Sequence, residues 1–426
     1  MTDPRKGSHL DRLNELLALA SAGASFQRER IGDLRLETLD DLAKLPLTTK
    51  DELLADQAAN PPFGTNLCYA LERYTHLHQT SGTTGATLRV VDTPEDWAWF
   101  RDRFGMTFRA AGMSAGDRVA MAHSFGPYIQ FWASYEGVQS VGAMVIPMGG
   151  MDSVQRLHTL RDFEATALLC TPSYAVHLAK VAVENDLTDA TSSVERVICT
   201  GEPGASLPAV KERIETSWEA RCFDHAGLAE VGAFADPCTE GGLHLAEDDF
   251  LCEILDPQSH ARVTDGQLGE LVITSLSRTG FPVIRYRTGD VVEAHGQACP
   301  AGHEGSWLPQ GILGRTDDMV VIRGMNVFPS AIEQILREAG GVGEFRITFY
   351  NDPRAMDEVK LEAELAHPGD ARTIQARMRQ RLGLRVRIVP LKAGILPPQI
   401  GKARRVEDLR PGAAPAWKRG GAANGR

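Results

Sequence analysis

No apolar run in the 426-residue chain is long enough to cross a bilayer, which takes about 20 residues. The first residues, Met1-Thr2-Asp3-Pro4-Arg5-Lys6, lead into an amphipathic Leu10–Leu19 segment and not into the apolar stretch of a secretory leader. A basic stripe is also missing. Lys and Arg number 45 against 56 Asp and Glu, a formal charge of −11, so no generic nucleic-acid or anionic-membrane surface is expected. Cysteine is scarce and odd in number, seven scattered residues, which fits a reducing cytoplasm with thiols or a metal site and not a disulfide framework. No internal repeat is evident. What remains is an ordinary globular composition and a length that implies roughly two to three domains.

Helical spacing is clear at Leu10, Leu13, Leu16, Leu17 and Leu19. Thr38–Leu42 and Leu47–Leu54 read as two short helix starts, the first capped by Thr38 and the second by Thr48 or Thr49. Pro94–Ala111 reads as a helix whose aromatics (Trp97, Trp99, Phe100, Phe104, Phe108) form a core face. Strand-like and helix-like runs then alternate. The strands are Arg118–His123, Ala143–Pro147, Ala167–Cys170, Val194–Thr200 and Arg221–Asp224; the helices are Tyr128–Ser140, Ser153–Arg161, Ala175–Asn185 and Leu207–Glu219. Such alternation predicts parallel βαβ units with helices on both sheet faces. From about Leu243 shorter strands follow (Phe250–Leu255, Gly269–Ser275, Ile284–Tyr286), as in an antiparallel subdomain. The stretch 319–410 alternates again, enough for a small α+β domain, and Pro411 to Arg426 has the Gly-, Ala- and Pro-rich composition of disorder. The expected fold is α/β: a large N-terminal domain (1–316) with parallel α/β sheets and a small antiparallel β subdomain, then a small mobile α+β domain (317–410) and a tail (411–426).

Ligands of open α/β sheets sit beyond the carboxyl ends of the strands. That rule selects His123–Gly126, Thr171–Ser173, Thr200–Gly204 and Asp224–Glu230. A further loop, Thr80-Ser81-Gly82-Thr83-Thr84-Gly85, precedes the strand-like Leu88–Val91. Its glycines and hydroxyls suit a nest of amides around an anion, although no Gly-Lys-Ser/Thr closes it in the Walker manner.

Four later segments complete a constellation: Tyr286–Asp290, Gly314–Asp318, Arg323–Pro329 and Gly401–Arg405. Their order and spacing resemble the adenylate-forming superfamily of acyl-CoA synthetases. Gly201-Glu202-Pro203, Gly242–Asp248, Ile322–Pro329 and Leu47–Leu54 are similar in detail to its phenylacetate–coenzyme A ligase branch. The resemblance runs from about residue 45 to 410.

The resemblance implies a two-step enzyme using ATP, Mg2+ and coenzyme A: a carboxylate attacks the α-phosphate of ATP, then a thiol displaces AMP from the acyl-adenylate. The loop Thr80, Ser81, Gly82, Thr83, Thr84, Gly85 holds the β- and γ-phosphates in that reading. Gly201, Glu202 and Pro203, with His225, Ala226 and Gly227, belong to the nucleotide site, and Glu230 is the magnesium ligand. Asp290 accepts the ribose hydroxyls, Arg315 touches ribose or phosphate, Asp317 is the hinge, and Lys402 is the adenylation lysine, neutralising charge as it builds. The chain departs from the family at Ala226, where an aromatic is usual, and at Ala229, where Ser or Thr is usual; His225 is a possible substitute for the stacking ring. The acid pocket is expected at His123, Phe125, Tyr128, Phe131 and Gly149, aromatic enough for a small aromatic acid of phenylacetate, benzoate or anthranilate type. Cys238, His244, Cys299 and His303 form a Cys2His2 set suited to a structural zinc. The resulting expectation is a cytoplasmic aryl-acid–CoA ligase, a homodimer, with no nucleic-acid or membrane partner. Loading of a carrier-protein thiol and a non-catalytic nucleotide-binding protein of the same fold are the alternatives.

Overall fold

The computed structural model describes residues 7–80, 87–123, 126–303, 305–316, 320–322, 325–327, 329–351, 357–397 and 405–410. Helix α1 (His9–Gly23) starts where Ser8 Oγ accepts the Asp11 amide, and it buries Leu13, Leu16, Leu17 and Ala20; α2 (Ser25–Ile31) follows. The expected helix at Thr38 is a single 3-10 stretch, Leu39–Lys44. Pro46 explains the stop, since the residue before a proline is pushed to extended backbone, and Leu45 adopts φ −78°, ψ 141°. Helix α3 (Lys50–Ala59) has a full capping box: Thr49 Oγ1 accepts the Glu52 amide, and the Glu52 carboxylate accepts the Thr49 amide. Strands β1 (His76–Gln79) and β2 (Arg89–Asp92) pair antiparallel. Thr80 clasps their open end, its amide donating to Leu88 O at 3.0 Å and its hydroxyl accepting the Leu88 amide at 3.1 Å.

After α4 (Pro94–Ala110) come β3 (Arg118–Met121), α5 (Ile129–Val141), β4 (Met144–Pro147), α6 (Ser153–Asp162), β5 (Ala167–Cys170), α7 (Pro172–Glu184), β6 (Arg196–Cys199), α8 (Pro208–Trp218) and β7 (Arg221–Asp224). The strands form one parallel sheet in the order β4-β3-β5-β6-β7. Central β5 is buried on both faces, as crossover helices require. One face packs on α4 and α5 through Phe100, Phe104, Phe108 and Phe131; the other packs on α6 to α8 through Leu157, Leu178 and Trp218. Sheets in the plural were expected; among the described residues this is the only all-parallel one, and the rest of the large unit is antiparallel.

Strands β8 (Ala226–Leu228), β9 (Gly232–Pro237), β10 (Leu243–Leu245), β11 (Phe250–Leu255), β12 (Leu268–Ser275), β13 (Tyr286–Glu293), β14 (Trp307–Leu308) and β15 (Gly314–Arg315) make two four-stranded antiparallel sheets, β14-β10-β9-β8 and β11-β12-β13-β15. Beyond them β16 (Val320–Ile322) and β17 (Met325–Val327) form a hairpin. It leads to α9 (Pro329–Ala339), β18 (Val342–Asn351), β19 (Asp357–Leu365), α10 (Asp370–Leu382), β20 (Val386–Leu391) and β21 (Val406–Asp408). This last sheet, β20-β19-β18-β21, has an antiparallel centre and parallel flanks. It closes over a core of its own with Ile332, Leu336, Phe349, Leu361 and Met378. Among the described residues no helix is long and apolar enough to cross a membrane.

Candidate active site

Glu230 sits on the tight turn joining β8 to β9. The turn needs glycine at 227, because a Cβ there would lie 2.9 Å from the Gly232 carbonyl oxygen. Main-chain carbonyls of Ala229 and Glu230 accept from Arg278 Nη1 at 2.8 and 2.7 Å, and Arg278 is itself paired with Asp92 at 2.6 Å, both fully buried. The turn is therefore held by an internal ion pair. The Glu230 side chain, 3% exposed, accepts from the Tyr286 hydroxyl at 3.1 Å and faces Lys50 Nζ at 3.5 Å. Burial, with Glu230 beside it, holds the Tyr286 phenol well above its usual range.

Lys50 reaches Glu230 because its helix cap is stitched to the strand that bears Tyr286. Thr48 forms a parallel bridge with Tyr286. Its amide donates to Arg285 O at 2.9 Å, its carbonyl accepts from the Arg287 amide at 2.8 Å, and its hydroxyl donates to Ile284 O at 2.7 Å. Sequence reasoning gave neither Lys50 nor Tyr286 a role. The signal available was a Thr-Thr-Lys cap in the family-like Leu47–Leu54 segment.

Asp290 and Arg315 are register partners on β13 and β15, and Arg315 Nη1 donates to Asp290 Oδ1 at 3.0 Å. The Thr288 hydroxyl accepts the Asp290 amide at 3.0 Å and donates to Leu271 O at 2.7 Å, which fixes the turn. After β6, Gly201 takes φ +90°, a conformation that favours glycine. It turns Glu202 back so that its carboxylate accepts the Ser173 amide at 2.7 Å, one of the free donors at the start of α7. Burial raises the Glu202 carboxyl. Glu202 thus ties two strand-end loops together, with Pro203 following it. Asp224, at the end of β7, is a further residue the sequence left without a role. It accepts from Ser206 Oγ at 2.6 Å, and burial pushes its carboxyl up to about 7.

On the acid side, Phe131 is 2% exposed and belongs to the main core, edge-on to Trp132 at 5.2 Å. On α5 it turns inward onto the sheet. Tyr128 is exposed, Gly149 is half-buried just past β4, and His123 stands just past β3. His225 is 2% exposed, with its ring at right angles to Phe104 (5.9 Å) and Phe108 (6.0 Å). Ala226 is half-buried and pairs with Ala235 inside β8–β9. Burial pushes the His123 imidazole down to about 4, with Arg156 adding, and that of His225 to about 3, with His123 and Arg103 adding. Of the other expected site residues, Thr80 is described above, whereas Ser81, Gly82, Thr83, Thr84, Gly85, Phe125, Asp317 and Lys402 lie outside the described residues.

Three of the four expected zinc ligands converge. Cys238 and Cys299 hold their sulfurs 3.4 Å apart, and ligand atoms of Cys238, His244 and Cys299 all lie within 4.8 Å of one another. The His303 ring centroid is 5.0 Å from that of His244, whose two nitrogens are buried without a hydrogen-bond partner among the described residues. Burial pushes the Cys238 thiol up to about 11 and the His244 imidazole down. The donor set fits a soft tetrahedral cation, which takes neutral imidazole and thiolate.

Residues 324–410 match the family model for the AMP-binding enzyme C-terminal domain. A phenylacetate-coenzyme A ligase of Pseudomonas putida is 30% identical over 96% of the chain and 95% of its own length. That of Escherichia coli strain K12 is 31% identical over 87% and 86%. A solved structure of 2-hydroxyisobutyryl-CoA ligase in its postadenylation state superposes with a TM-score of 0.86 at 31% identity, over 94% of the chain and 88% of that one. The same enzyme in its thioesterification state gives 0.70 at 32% identity, over 94% and 89%.

Proposed function

The chain belongs to the phenylacetate–coenzyme A ligase family of adenylate-forming enzymes and is an AMP-forming acid–CoA ligase using ATP and CoA, and from that premise we propose that its acid is a small aromatic one and that the residues above divide the two half-reactions between them. The observation that carries the assignment of roles is the pair of carboxylates flanking β13. Both are buried: Asp290 pairs with Arg315, and Glu230 meets Tyr286 and Lys50.

Asp290 accepts the ribose hydroxyls while Arg315 touches ribose or phosphate. The loop Thr80–Gly85 cradles the β- and γ-phosphates, on a base that the Thr80–Leu88 clasp holds closed. Glu230 holds magnesium, whose charge offsets that of the phosphates. Lys402 stands between the attacking carboxylate and the α-phosphate, and offsets charge there as the acyl–phosphate bond forms and pyrophosphate leaves. Residues 317–410 move as a unit about Asp317, taking Lys402 out for the second step, in which the CoA thiol displaces AMP. Cys238, His244, Cys299 and His303 hold a structural zinc that fastens β9 and β10 to the 299–303 loop. About one zinc per chain by elemental analysis, lost in Cys238→Ser, is the expected result.

Support for an aromatic acid comes from the phenylacetate ligases at about 30% identity and from the exposed Tyr128 beside the strand ends. A second reading, a short branched hydroxy acid, is favoured by the likeness to 2-hydroxyisobutyryl-CoA ligase. The deciding experiment is pyrophosphate release with ATP and Mg2+ across aryl and short aliphatic acids, each with and without CoA. Release with an aryl acid, and an acyl-CoA product, supports the first reading. Release confined to short aliphatic acids replaces it with the second, and silence across the panel removes both.

A further inference from the structure

Two side chains at the acid end of the site have no partner to account for them. His123 follows β3 and His225 follows β7, at the carboxyl edge of the parallel sheet, where open α/β sheets take their ligands. All four ring nitrogens are buried, and none has a hydrogen-bond partner among the described residues. The His225 ring stands at right angles to those of Phe104 and Phe108, and His123 is close enough to oppose charge on it. Neutral imidazole carries one N–H donor and one bare acceptor nitrogen. Native proteins seldom leave even one such atom buried and unpaired, and where they do a functional partner is the usual explanation. Each ring presents an N–H or a bare nitrogen according to its tautomer, so a group that meets every combination must be able both to donate and to accept. A hydroxyl does both; an ether or ketone only accepts, and an ammonium only donates.

We propose that His123 and His225 are specificity residues that read a hydroxyl on the substrate, so that the preferred acid is a hydroxylated carboxylic acid. The hydroxyl donates to the bare nitrogen of one ring and accepts the N–H of the other. An acid without it leaves both rings unpaired in the closed site, the situation in which enzymes discriminate best. This rests on the acid–CoA ligase reading and is independent of whether the carbon skeleton is aryl or alkyl.

The test uses the purified full chain with ATP, Mg2+ and CoA, comparing kcat/KM for AMP formation within matched pairs. Phenylacetate is set against its three ring-hydroxylated isomers, benzoate against the hydroxybenzoates, and 2-methylpropanoate against its 2-hydroxy derivative. The expected result is a preference of about 10- to 100-fold for the hydroxylated member of at least one pair. That ratio should collapse toward unity in His225→Phe and His123→Phe and be largely kept in His225→Gln, which retains a donor and an acceptor. AMP binding by calorimetry shows that each variant is folded. AMP formation from both members of every pair at equal kcat/KM overturns the inference and leaves the ligase reading standing. A ratio that survives both Phe variants overturns the assignment to these rings. No pyrophosphate from any acid overturns the ligase reading and the inference with it.

Discussion

The two ends of the site treat their polar groups in opposite ways. At the nucleotide end every charged group described has an internal partner: Asp290 has Arg315, Glu230 has Lys50 and Tyr286, and Arg278 has Asp92. At the proposed acid end, the ring nitrogens of His123 and His225 are buried with no hydrogen-bond partner among the described residues. A nucleotide is a constant ligand, and its recognition can be built from pairs that hold their geometry while the site is empty. The acid defines the individual enzyme, and groups left unpaired in the free protein discriminate most strongly, because only one ligand pattern completes them. Stability is concentrated at one end and selectivity at the other.

The sharpest way to break this contrast is at the nucleotide end. Lys402→Ala should lower the rate of acyl-adenylate formation by about 10²- to 10³-fold while ATP still binds, the scale of losing one group that meets transition-state charge. A variant that adenylates at the parent rate would remove Lys402 from the mechanism. Asp290→Ala should raise the KM for ATP by roughly 10- to 100-fold, the worth of hydrogen bonds to a charged group. An unchanged KM in steady-state kinetics would mean that the ribose is held elsewhere. Lys50→Met leaves Glu230 buried with only a neutral donor. Because Lys50 is half-exposed, a loss of only about 1 to 2 kcal/mol is expected in denaturant titration.

A further contrast is read by pH. A buried carboxyl raised to about 7 from an ordinary 3.8, as at Asp224, keeps its proton in the folded state where the unfolded chain has lost it, so its contribution to stability falls as pH rises across that interval. The lowered imidazoles of His123 and His225 do the reverse. The unfolded chain binds their protons below about 6.5 and the folded chain does not, so their contribution rises with pH up to that point. Urea titrations at several values between pH 4 and 7 should therefore show a steeper rise in stability for Asp224→Asn than for the parent, and a shallower one for His225→Phe. Parallel curves would mean that neither group titrates as described.

The βαβ alternation was legible because the short strands are mostly apolar and most crossover helices carry a side-chain cap or a proline in the first turn; Ala167–Cys170 and the Thr171-capped α7 are the clearest pair. The acids and the arginine of the nucleotide site were legible because their spacing follows a family pattern, and geometry then joined Asp290 to Arg315. The proposed zinc ligands were legible as residue types, and folding brought three of them within reach of one another. The inward turn of Phe131 was not legible, because α5 bears three aromatics and nothing in the sequence says which of them turns to the sheet. The packing of His225 was not legible because its neighbours in space, Phe104 and Phe108, lie more than a hundred residues away. Lys50 was missed for a similar reason: the bridge from Thr48 to Tyr286 spans most of the large domain.

The ammonium of Lys50 gives Glu230 a resting occupant. A cation taking up the proposed magnesium role at this carboxylate would compete with the ammonium for it, so its apparent affinity would be an intrinsic affinity reduced by a built-in competitor. A metal arriving with a polyphosphate would bring an anion for the ammonium as well, so joint arrival of metal and nucleotide would be favoured over a metal alone.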